Sequence, residues 1–242
     1  MIMSFIENAR GFLPSSMLDW PGKICTVLFL NGCNFRCPYC HNPDLVNGRK
    51  IPNEVSWSRL AFFLSQRRGW IDGVSISGGE PTLNSELSDL CRKIKGISML
   101  VKVDTNGSRP RVIKELLNRG VVDHLSMDVK TSLARYPEVV MRPVDMDSIM
   151  ESIDTIICSG IEHEFRCTVV PGLVDYQDLE SIASMLRGAE ALMLQQFRPE
   201  KTLLPEYQTL KPYPDELIIE WADKLNAILP TRSRGLAAMA RG

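Results

Sequence analysis

The sequence predicts an α/β fold in the form of an incomplete (β/α)6 barrel, that is, a partial TIM barrel. Six short runs of aliphatic and β-branched residues alternate along the chain with six segments of helical periodicity. This alternation indicates a parallel sheet whose right-handed crossovers curl it toward a barrel. Polar motifs repeatedly follow the predicted strands, and the carboxyl ends of the strands carry the chemistry in barrel folds.

The first half of the chain alternates three strands with three helices. Residues 24–30 form a continuous apolar and β-branched run, as expected of a strand that is covered on both faces. Ser56 is a suitable N-cap for the next helix, and Gly78 marks the end of the second strand. The predicted elements are strands 24–30, 73–77 and 99–103 and helices 56–68, 84–95 and 111–119.

The second half repeats the same alternation. Gly160 is a natural stop for a helix, Pro171 and Gly172 close a strand, and Pro230 follows the last helix. The predicted elements are strands 122–129, 164–170 and 191–197 and helices 147–159, 178–187 and 215–229.

Length and composition favour one cytoplasmic domain. The 242 residues are 44% hydrophobic, and a formal net charge of −1 lacks the broad basic footprint of a nucleic-acid-binding protein. Neither a basic leader followed by an apolar core nor an apolar run of ~18 residues is present, so no membrane partner is expected. We predict a single domain over 1–242, with its core at about 11–229 and a flexible tail at 230–242.

Three clustered cysteines are the strongest candidates for a reactive or metal-binding site. Cys33, Cys37 and Cys40 form a C-x3-C-x2-C pattern, and thiolates on a short irregular loop are typical iron–sulfur ligands. Three local ligands leave one iron of a [4Fe–4S] cube open. A disulfide and a zinc site completed by His41 are the alternatives, although adjacent residues such as Cys40 and His41 rarely bind one ion. The remaining cysteines are predicted to fill the core: Cys25, Cys91, Cys158 and Cys167.

The cysteine spacing carries a family resemblance. Together with the following His-Asn-Pro at residues 41–43 and Leu-Asp-Trp-Pro-Gly-Lys at residues 18–23, it resembles the radical S-adenosylmethionine (SAM) superfamily. Within that superfamily the chain is most similar to activating enzymes of glycyl-radical enzymes, and closest to the anaerobic ribonucleoside-triphosphate reductase activating proteins. The resemblance extends from about residue 11 to residue 198 and is weaker beyond it.

The resemblance implies a catalytic site built on a [4Fe–4S] cluster and SAM. In that chemistry an electron from flavodoxin or ferredoxin cleaves SAM, and the resulting 5′-deoxyadenosyl radical takes a hydrogen atom from a glycine of a partner enzyme. The partner implied is an anaerobic ribonucleotide reductase. About forty-five residues follow Arg198, and we expect them to leave the barrel mouth open for a glycine-bearing loop.

The Gly-Gly-Glu motif at residues 78–80 has two interpretations. Gly78 and Gly79 can simply form a turn, which is ordinary chemistry for such a pair. The resemblance implies instead that Gly78, Gly79 and Glu80 bind the amino group of SAM, with the glycines permitting close approach and Glu80 accepting from the ammonium.

Two aspartates also follow predicted strands. The resemblance implies that Asp104 and Asp128 lie near SAM and can hold a monovalent cation, with help from backbone oxygens of Thr105 and Ser126. Lys130 shares a face with Asp128 on an extended strand and can neutralise it. An Asx turn at Asp104 and a buried ion pair at Asp128 are the structural alternatives.

The remaining candidates rest on weaker matches. Arg166 interrupts an apolar strand and must therefore reach the rim or find an internal partner. The resemblance assigns Arg166 to the SAM side, Gln196 and Arg198 to SAM or substrate, and the backbone of Tyr39 to the adenine. It makes His41 a group beside the cluster rather than a ligand. Asp19 is a candidate substrate contact, although its Pro-Gly neighbours also simply favour a turn.

Three other functions remain open at this point. One is an activase of a pyruvate formate-lyase-type enzyme, and the second is a radical SAM enzyme for a small molecule, such as a 7-carboxy-7-deazaguanine synthase. From a different class, the chain can be a zinc or redox binding module without catalysis. Iron and sulfide analysis of anaerobically purified protein separates the last of these from the others.

Overall fold

The computed structural model describes residues 6–46 and 55–236. The contacts within the chain divide it into two units. Unit 1 comprises the described residues of Met1–Asn34, Asp44–Thr105 and Arg109–Leu125. Unit 2 comprises the described residues of Phe35–Pro43, Asn106–Ser108 and Ser126–Gly242.

Unit 1 is built on four strands with helices between them. Strand β1 is antiparallel to β2, whereas β2, β3 and β4 are parallel neighbours, with Leu30 opposite Gly78 and Ile76 opposite Val103. The strands are β1 (Ala9–Ser16), β2 (Cys25–Leu30), β3 (Gly73–Gly78) and β4 (Leu100–Thr105). The helices described between Pro43 and Asn118 are α1 (Pro43–Val46), α2 (Trp57–Ser65), α3 (Leu87–Lys95) and α4 (Pro110–Asn118).

Unit 2 continues the alternation. Strand β5 (His124–Asp128) begins in unit 1 and ends in unit 2. Beyond it, β6, β7 and β8 are parallel neighbours in that order. These strands span β6 (Glu162–Val169), β7 (Leu192–Gln196) and β8 (Thr231–Arg234), and the helices are α5 (Tyr136–Val140), α6 (Met146–Ile157), α7 (Tyr176–Met185) and α8 (Asp215–Leu225).

Local sequence explains why these elements start where they do. The Ser56 side chain accepts from the backbone N–H of Arg59 at 3.2 Å and caps α2. Asp175 and Asp178 form a reciprocal capping box at the start of α7. Strand β2 is buried along almost its whole length, which accounts for its continuous apolar sequence.

The predicted βα alternation is confirmed, but two strands were missed. All six predicted strands and six predicted helices are present with end shifts of a few residues. Strand β1 was missed because it contains Gly11 and Pro14, which are typical of turns. Both residues are tolerated here because β1 is an edge strand.

The predicted tail at 230–242 needs a correction. Residues Thr231–Arg234 form β8, which pairs with β7, and the Asn226 side chain binds both the N–H and the carbonyl oxygen of Thr231. The segment reads Thr-Arg-Ser-Arg, which is too polar to predict a strand from hydrophobic pattern. Residues 237–242 lie outside the described part of the chain. Among the described helices, none has the length and hydropathy needed to span a bilayer.

Candidate active site

The first cysteine of the array lies in unit 1, just beyond β2. Strand β2 ends at Leu30, and Cys33 is half-buried in the loop that follows. The Gly32 N–H donates to the Leu45 carbonyl at 2.7 Å, and the Gly32 carbonyl accepts from the Glu80 N–H at 2.8 Å. The loop that carries Cys33 is therefore bonded directly to the Gly-Gly-Glu turn after β3.

The two glycines of that turn permit this close approach. A Cβ on Gly79 would lie 2.0 Å from the Gly32 carbonyl oxygen, and one on Gly78 would lie 2.2 Å from the Leu30 carbonyl oxygen. Gly78 also has a φ of +123°, a region that side-chain-bearing residues rarely adopt. Packing of β3 against the cysteine loop is thus sufficient to require glycine at both positions, independently of SAM binding.

Glu80 is buried, with 2% of its surface exposed, and is held by hydroxyl and amide donors. Its Oε1 accepts from the Thr82 N–H at 3.1 Å, from the Thr82 hydroxyl, and from the Thr105 hydroxyl at 2.8 Å. Charge-assisted hydrogen bonds of this kind fix a carboxylate in one orientation. Glu80 is consequently an immobile acceptor beside the first cysteine segment.

Asp104 lies near the end of β4 and is bonded to a lysine of the same strand. The Lys102 ammonium donates to Asp104 Oδ1, and the Lys102 side chain is completely buried. Residues two apart in a strand point to the same face, which brings these two side chains together. Thr105 points to the other face and binds Glu80 instead.

Asp19 does not lie with the other candidates of unit 1. Its carboxylate accepts from the Ser16 hydroxyl at 2.5 Å, and Ser16 pairs with Cys25 at the first residue of β2. Cys33 follows the last residue of the same strand, so the length of β2 separates them. Contrary to expectation, Asp19 occupies a turn at the opposite end of β2 from the cysteine loop, and the turn interpretation accounts for its sequence.

The other two cysteines of the array lie in unit 2. The Cys40 N–H donates to the Cys37 carbonyl at 3.1 Å, which forms a tight turn around Tyr39. Cys37 is buried and Cys40 is half-buried. The Tyr39 phenol is also buried, without a hydrogen-bond partner among the described residues, and burial raises its pKa well above the ordinary value.

Asp128 at the end of β5 is the centre of an ion-pair network in unit 2. Its Oδ1 accepts from Arg166 Nε at 2.7 Å and its Oδ2 accepts from Lys130 Nζ at 3.1 Å. Burial alone would raise the pKa of Asp128, but the two cations outweigh burial and hold that pKa well below its usual range. The same carboxylate raises the pKa of Lys130, against the effect of burial. All three groups are therefore charged at neutral pH.

Gln196 and Arg198 follow β7 in unit 2. The Gln196 amide nitrogen donates to the Tyr213 carbonyl and to Asp215 Oδ1, both at 2.8 Å, which anchors the start of α8. Arg198 Nη2 donates to the Gly235 carbonyl at 3.2 Å. The charge of Arg198 also acts on His41, whose pKa is lowered by burial first and by this guanidinium among other charges. The Leu204 N–H donates to the Pro38 carbonyl at 3.0 Å, so the segment that follows β7 contacts the cysteine turn.

The three thiols suit an iron–sulfur cluster by their chemistry. All seven cysteines are free thiols, which removes the disulfide alternative. Within residues 6–46 and 55–236, no three His, Cys, Asp or Glu side chains are grouped closely enough to hold a metal ion, including a zinc set with His41. The fit of Cys33, Cys37 and Cys40 to a cluster consequently rests on their type and spacing on one irregular loop.

The other four cysteines lie apart from the array in the sequence. Burial, as the largest cause, raises the pKa of three of these thiols to about 12: Cys25, Cys91 and Cys167. Burial is also the largest cause of a raised pKa at Cys40, so the array is distinguished by its spacing and not by thiol pKa. Cys158 is exposed, contrary to its predicted role as core filler. It is the residue that immediately follows α6.

Sequence reasoning missed two residues that contact Asp104 and Lys130. Lys102 is one, although its i, i+2 spacing from Asp104 is the signal that identified Lys130 beside Asp128. Tyr136 is the other: its hydroxyl accepts from the Lys130 N–H at 3.3 Å, and its ring packs edge-on against Phe35. Nothing in the local sequence connects Tyr136 with Lys130.

Comparison with known proteins agrees with this geometry. The family model described as the Radical SAM superfamily matches residues 27–186. A protein of Methanocaldococcus jannaschii described as a glycyl-radical enzyme activating enzyme is 35% identical over 213 residues, which is 85% of this chain and 86% of that protein. The pyruvate formate-lyase-activating enzyme of Clostridium pasteurianum is 28% identical over 218 residues, covering 87% of this chain and 88% of that one.

A solved structure supports the fold class. The crystal structure of Streptococcus suis SuiB bound to S-adenosylmethionine superposes with a TM-score of 0.64 and 16% identity, covering 84% of this chain and 48% of that one. This chain therefore spans about half the length of SuiB.

The chain belongs to the radical SAM superfamily and, within it, to the glycyl-radical enzyme activating enzymes. The predicted fold class, a partial barrel of the radical SAM type, is confirmed. The cofactors of this family are a [4Fe–4S] cluster and SAM. The monovalent cation near Asp104 and Asp128 stays a prediction.

Proposed function

We propose that this enzyme installs a glycyl radical on an anaerobic ribonucleoside-triphosphate reductase. The observation that carries the proposal is the 35% identity to a glycyl-radical enzyme activating enzyme across 85% of the chain. The choice of a ribonucleotide reductase rests on the resemblance of the cysteine loop and of residues 18–23 to its activating proteins. We further propose that the enzyme works in the cytoplasm and receives electrons from flavodoxin or ferredoxin.

The cofactors supply the radical chemistry. When bound, the cluster and SAM provide a one-electron cleavage that yields methionine and a 5′-deoxyadenosyl radical able to take hydrogen from a glycine Cα. The chain must therefore orient SAM and keep water and oxidants away from the radical. Cys33, Cys37 and Cys40 hold three irons of the cluster in this proposal.

In unit 1, the Gly-Gly-Glu turn binds the amino group of SAM. Gly78 and Gly79 lack side chains, so the backbone carbonyls of the turn are accessible to an ammonium. Glu80 contributes a fixed negative charge because Thr82 and Thr105 hold its carboxylate. Asp104 adds a second carboxylate at the end of the next strand.

In unit 2, the ion-pair network contributes positive charge. Asp128 faces both Arg166 and Lys130, so this cluster of three groups suits the carboxylate end of SAM. The backbone of Tyr39 contacts the adenine. Gln196 and Arg198 at the end of β7 complete the proposed SAM-side contacts.

The second candidate partner is a pyruvate formate-lyase-type enzyme. It is favoured by the relative from Clostridium pasteurianum and by the pyruvate formate-lyase 1-activating enzyme of Escherichia coli, which is 30% identical over 183 residues. The radical chemistry of the activating enzyme is the same for both candidate partners. The two proposals differ only in which protein carries the acceptor glycine.

Electron paramagnetic resonance tests the proposal. Anaerobically reconstituted enzyme is reduced with SAM and mixed in separate samples with a ribonucleotide reductase and with a pyruvate formate-lyase from the same cell. We expect a glycyl doublet in the reductase sample, and none when the acceptor glycine of the reductase is replaced by alanine. A doublet only with the lyase would transfer the assignment to that partner. Stoichiometric turnover of a small nucleobase analogue without any doublet would move it to the small-molecule class.

A further inference from the structure

An open groove of about 570 Å³ lies between strand β1 and helix α2 in unit 1. Its charged residues are all cations, and no Asp or Glu of the described chain lines it. Phenylalanine rings form much of the remaining lining. The residues concerned are Arg10, Arg59 and Arg67 together with Phe12, Phe62 and Phe63. The groove is therefore both cationic and aromatic.

The aromatic rings order the guanidinium groups of this groove. The Phe12 and Phe63 rings lie 5.0 Å apart between centroids. Arg59 Cζ is 5.9 Å from the centroid of Phe12, and Arg67 Cζ is 3.8 Å from the centroid of Phe63. A cation–π contact orders a guanidinium without neutralising its charge. The groove thus presents two oriented positive charges beside apolar rings.

A second groove of about 580 Å³ continues the same surface. The two grooves share Arg67, and the second is also lined by Met17 and Trp70. Large apolar side chains are prominent in both, with 79% of Trp70, 74% of Met17 and 68% of Phe62 exposed. Aromatic residues, Met and Arg are enriched in protein interfaces, and exposed apolar patches bordered by polar groups mark interaction sites. We call the two grooves together the arginine–aromatic surface.

The charge of the arginine–aromatic surface selects among partners. In a symmetric dimer the surface would face itself and place arginines opposite arginines, which repel. A nucleic acid would need a wider basic footprint, whereas the chain has a formal net charge of −1. Complementarity instead favours an acidic protein that carries apolar residues among its carboxylates.

The arginine–aromatic surface begins beside the strand that leads to the cysteine loop. Ala9, which precedes Arg10, pairs with the last residue of β2. The Asn8 carbonyl accepts from the Asn31 N–H at 2.9 Å, and Cys33 follows two residues later. The rate of electron transfer falls steeply with distance, so an electron carrier must dock close to the cluster that it reduces. A protein bound at the Arg10 end would lie next to the strand end from which the Cys33 loop extends.

We infer that the arginine–aromatic surface is the docking site of the protein that reduces the cluster, and that this protein is acidic. The inference rests on the proposed function, which requires a flavodoxin or ferredoxin as electron donor. In the docked pair one electron passes from the reduced carrier to the oxidised cluster. Arg59 and Arg67 steer and orient the carrier through its carboxylates, whereas Phe62 and Trp70 supply apolar contact area.

Binding and reduction are measured separately. Calorimetric titration of oxidised flavodoxin, and of oxidised ferredoxin, into the cluster-bearing enzyme gives the affinity without electron transfer. For wild type we expect one of the carriers to bind, with an affinity that falls as salt is added, because salt screens exposed charges. Arg59→Glu combined with Arg67→Glu should weaken this binding roughly 10- to 100-fold at low salt, because it places like charges opposite each other. Stopped-flow absorbance should show a similar loss in the rate of cluster reduction by the reduced carrier.

Lys93→Glu combined with Arg111→Glu is the matched control. Both residues are exposed, lie on α3 and α4, and line neither groove, while the change in net charge equals that of the first double variant. This control should bind the carrier nearly as wild type does. Trp70→Ala leaves the charge unchanged and should weaken binding by roughly 10-fold, as expected of an interface tryptophan. In every variant, SAM affinity and the rate of cluster reduction by dithionite should equal those of wild type.

Three results would overturn the inference. One is that neither carrier binds wild type, the second is a wild-type affinity that does not respond to salt, and the third is a folded Arg59→Glu, Arg67→Glu protein that binds the carrier as wild type does. Thermal unfolding establishes whether each variant is folded. If the double variant does not fold, the salt dependence of wild type and the affinity of Trp70→Ala decide.

The proposed function is tested apart from the docking site. With dithionite in place of the carrier, wild type and the Arg59→Glu, Arg67→Glu variant should install equal amounts of glycyl radical. Absence of a radical on any partner under these conditions would refute the proposed function and leave the carrier-binding measurements unaffected.

Discussion

The Thr105 hydroxyl donates a 2.8 Å hydrogen bond to Glu80 Oε1 and thereby connects the end of β4 to the turn after β3. The same oxygen accepts two bonds from Thr82, so the carboxylate is held from two elements. Because the Glu80 N–H also binds the Gly32 carbonyl, this residue couples the ends of three parallel strands of unit 1. A substitution at Glu80 is therefore expected to disturb the conformation of the loop that carries Cys33.

Replacing Glu80 by glutamine should weaken both the turn and SAM binding. The neutral amide loses charge-assisted bonds from the two threonines, and we expect the free energy of unfolding of the apoprotein to fall by about 1–3 kcal/mol. Urea denaturation measures this loss, and titration of the cluster-bearing protein measures SAM affinity. Thr105→Val removes one donor only and should give a smaller effect on both. Unchanged stability and affinity in Glu80→Gln would contradict this role.

Each cysteine of the array should be required for cluster assembly. Single replacement of Cys33, Cys37 or Cys40 by serine removes a thiolate ligand, so we expect strongly reduced iron and sulfide content and no SAM cleavage after reconstitution. Exposed Cys158 is the matched control, and Cys158→Ser should retain the wild-type iron content. The ligand assignment is wrong if any variant of the array keeps full iron, or if Cys158→Ser loses it.

Alanine at Gly79 should disturb the cysteine loop. The added Cβ would lie 2.0 Å from the backbone oxygen of Gly32, and a backbone atom cannot move aside as a flexible side chain can. We expect a loss of about 1–3 kcal/mol in stability, as for overpacked sites, together with reduced iron incorporation. Gly11→Ala is the control because its Cβ would meet nothing within 4 Å. Equal iron content in the two variants would show that the close approach is unimportant.

The ion pairs of Asp128 should make the protein sensitive to acid. The pKa of this carboxyl is below its ordinary value of 3.8 in the folded chain, so the unfolded chain binds more protons as the pH falls. The stability that Asp128 contributes is fully present well above pH 4 and is lost as the pH drops through the lower, folded value. Denaturation of the apoprotein followed from about pH 6 down to about pH 2 should show this loss. Asp128→Asn should flatten the curve, and an unchanged slope would refute the assignment.

Sequence reasoning identified the alternating elements because each strand is a short apolar run and each helix has apolar residues at helical spacing. It also located Asp128 and Lys130 on one face, which the 3.1 Å ion pair confirms. It did not predict that Asp19 lies away from the cysteine loop. The residues of a turn do not show at which end of a neighbouring strand the turn lies. The Thr82 and Thr105 bonds to Glu80 were likewise not predictable, since they depend on how two strand ends are brought together.

Strand β8 has a consequence for the solubility of unit 2. Among the described strands, β8 is the last in the sheet order. Without β8, the edge of β7 would be open to pairing with other chains. Only four residues long, it contains Arg232 and Arg234, and a short, charged edge strand is a poor template for intermolecular β-sheet. A chain cut after Pro230 would lose this protection and expose β7, so aggregation rather than loss of chemistry should be its first defect.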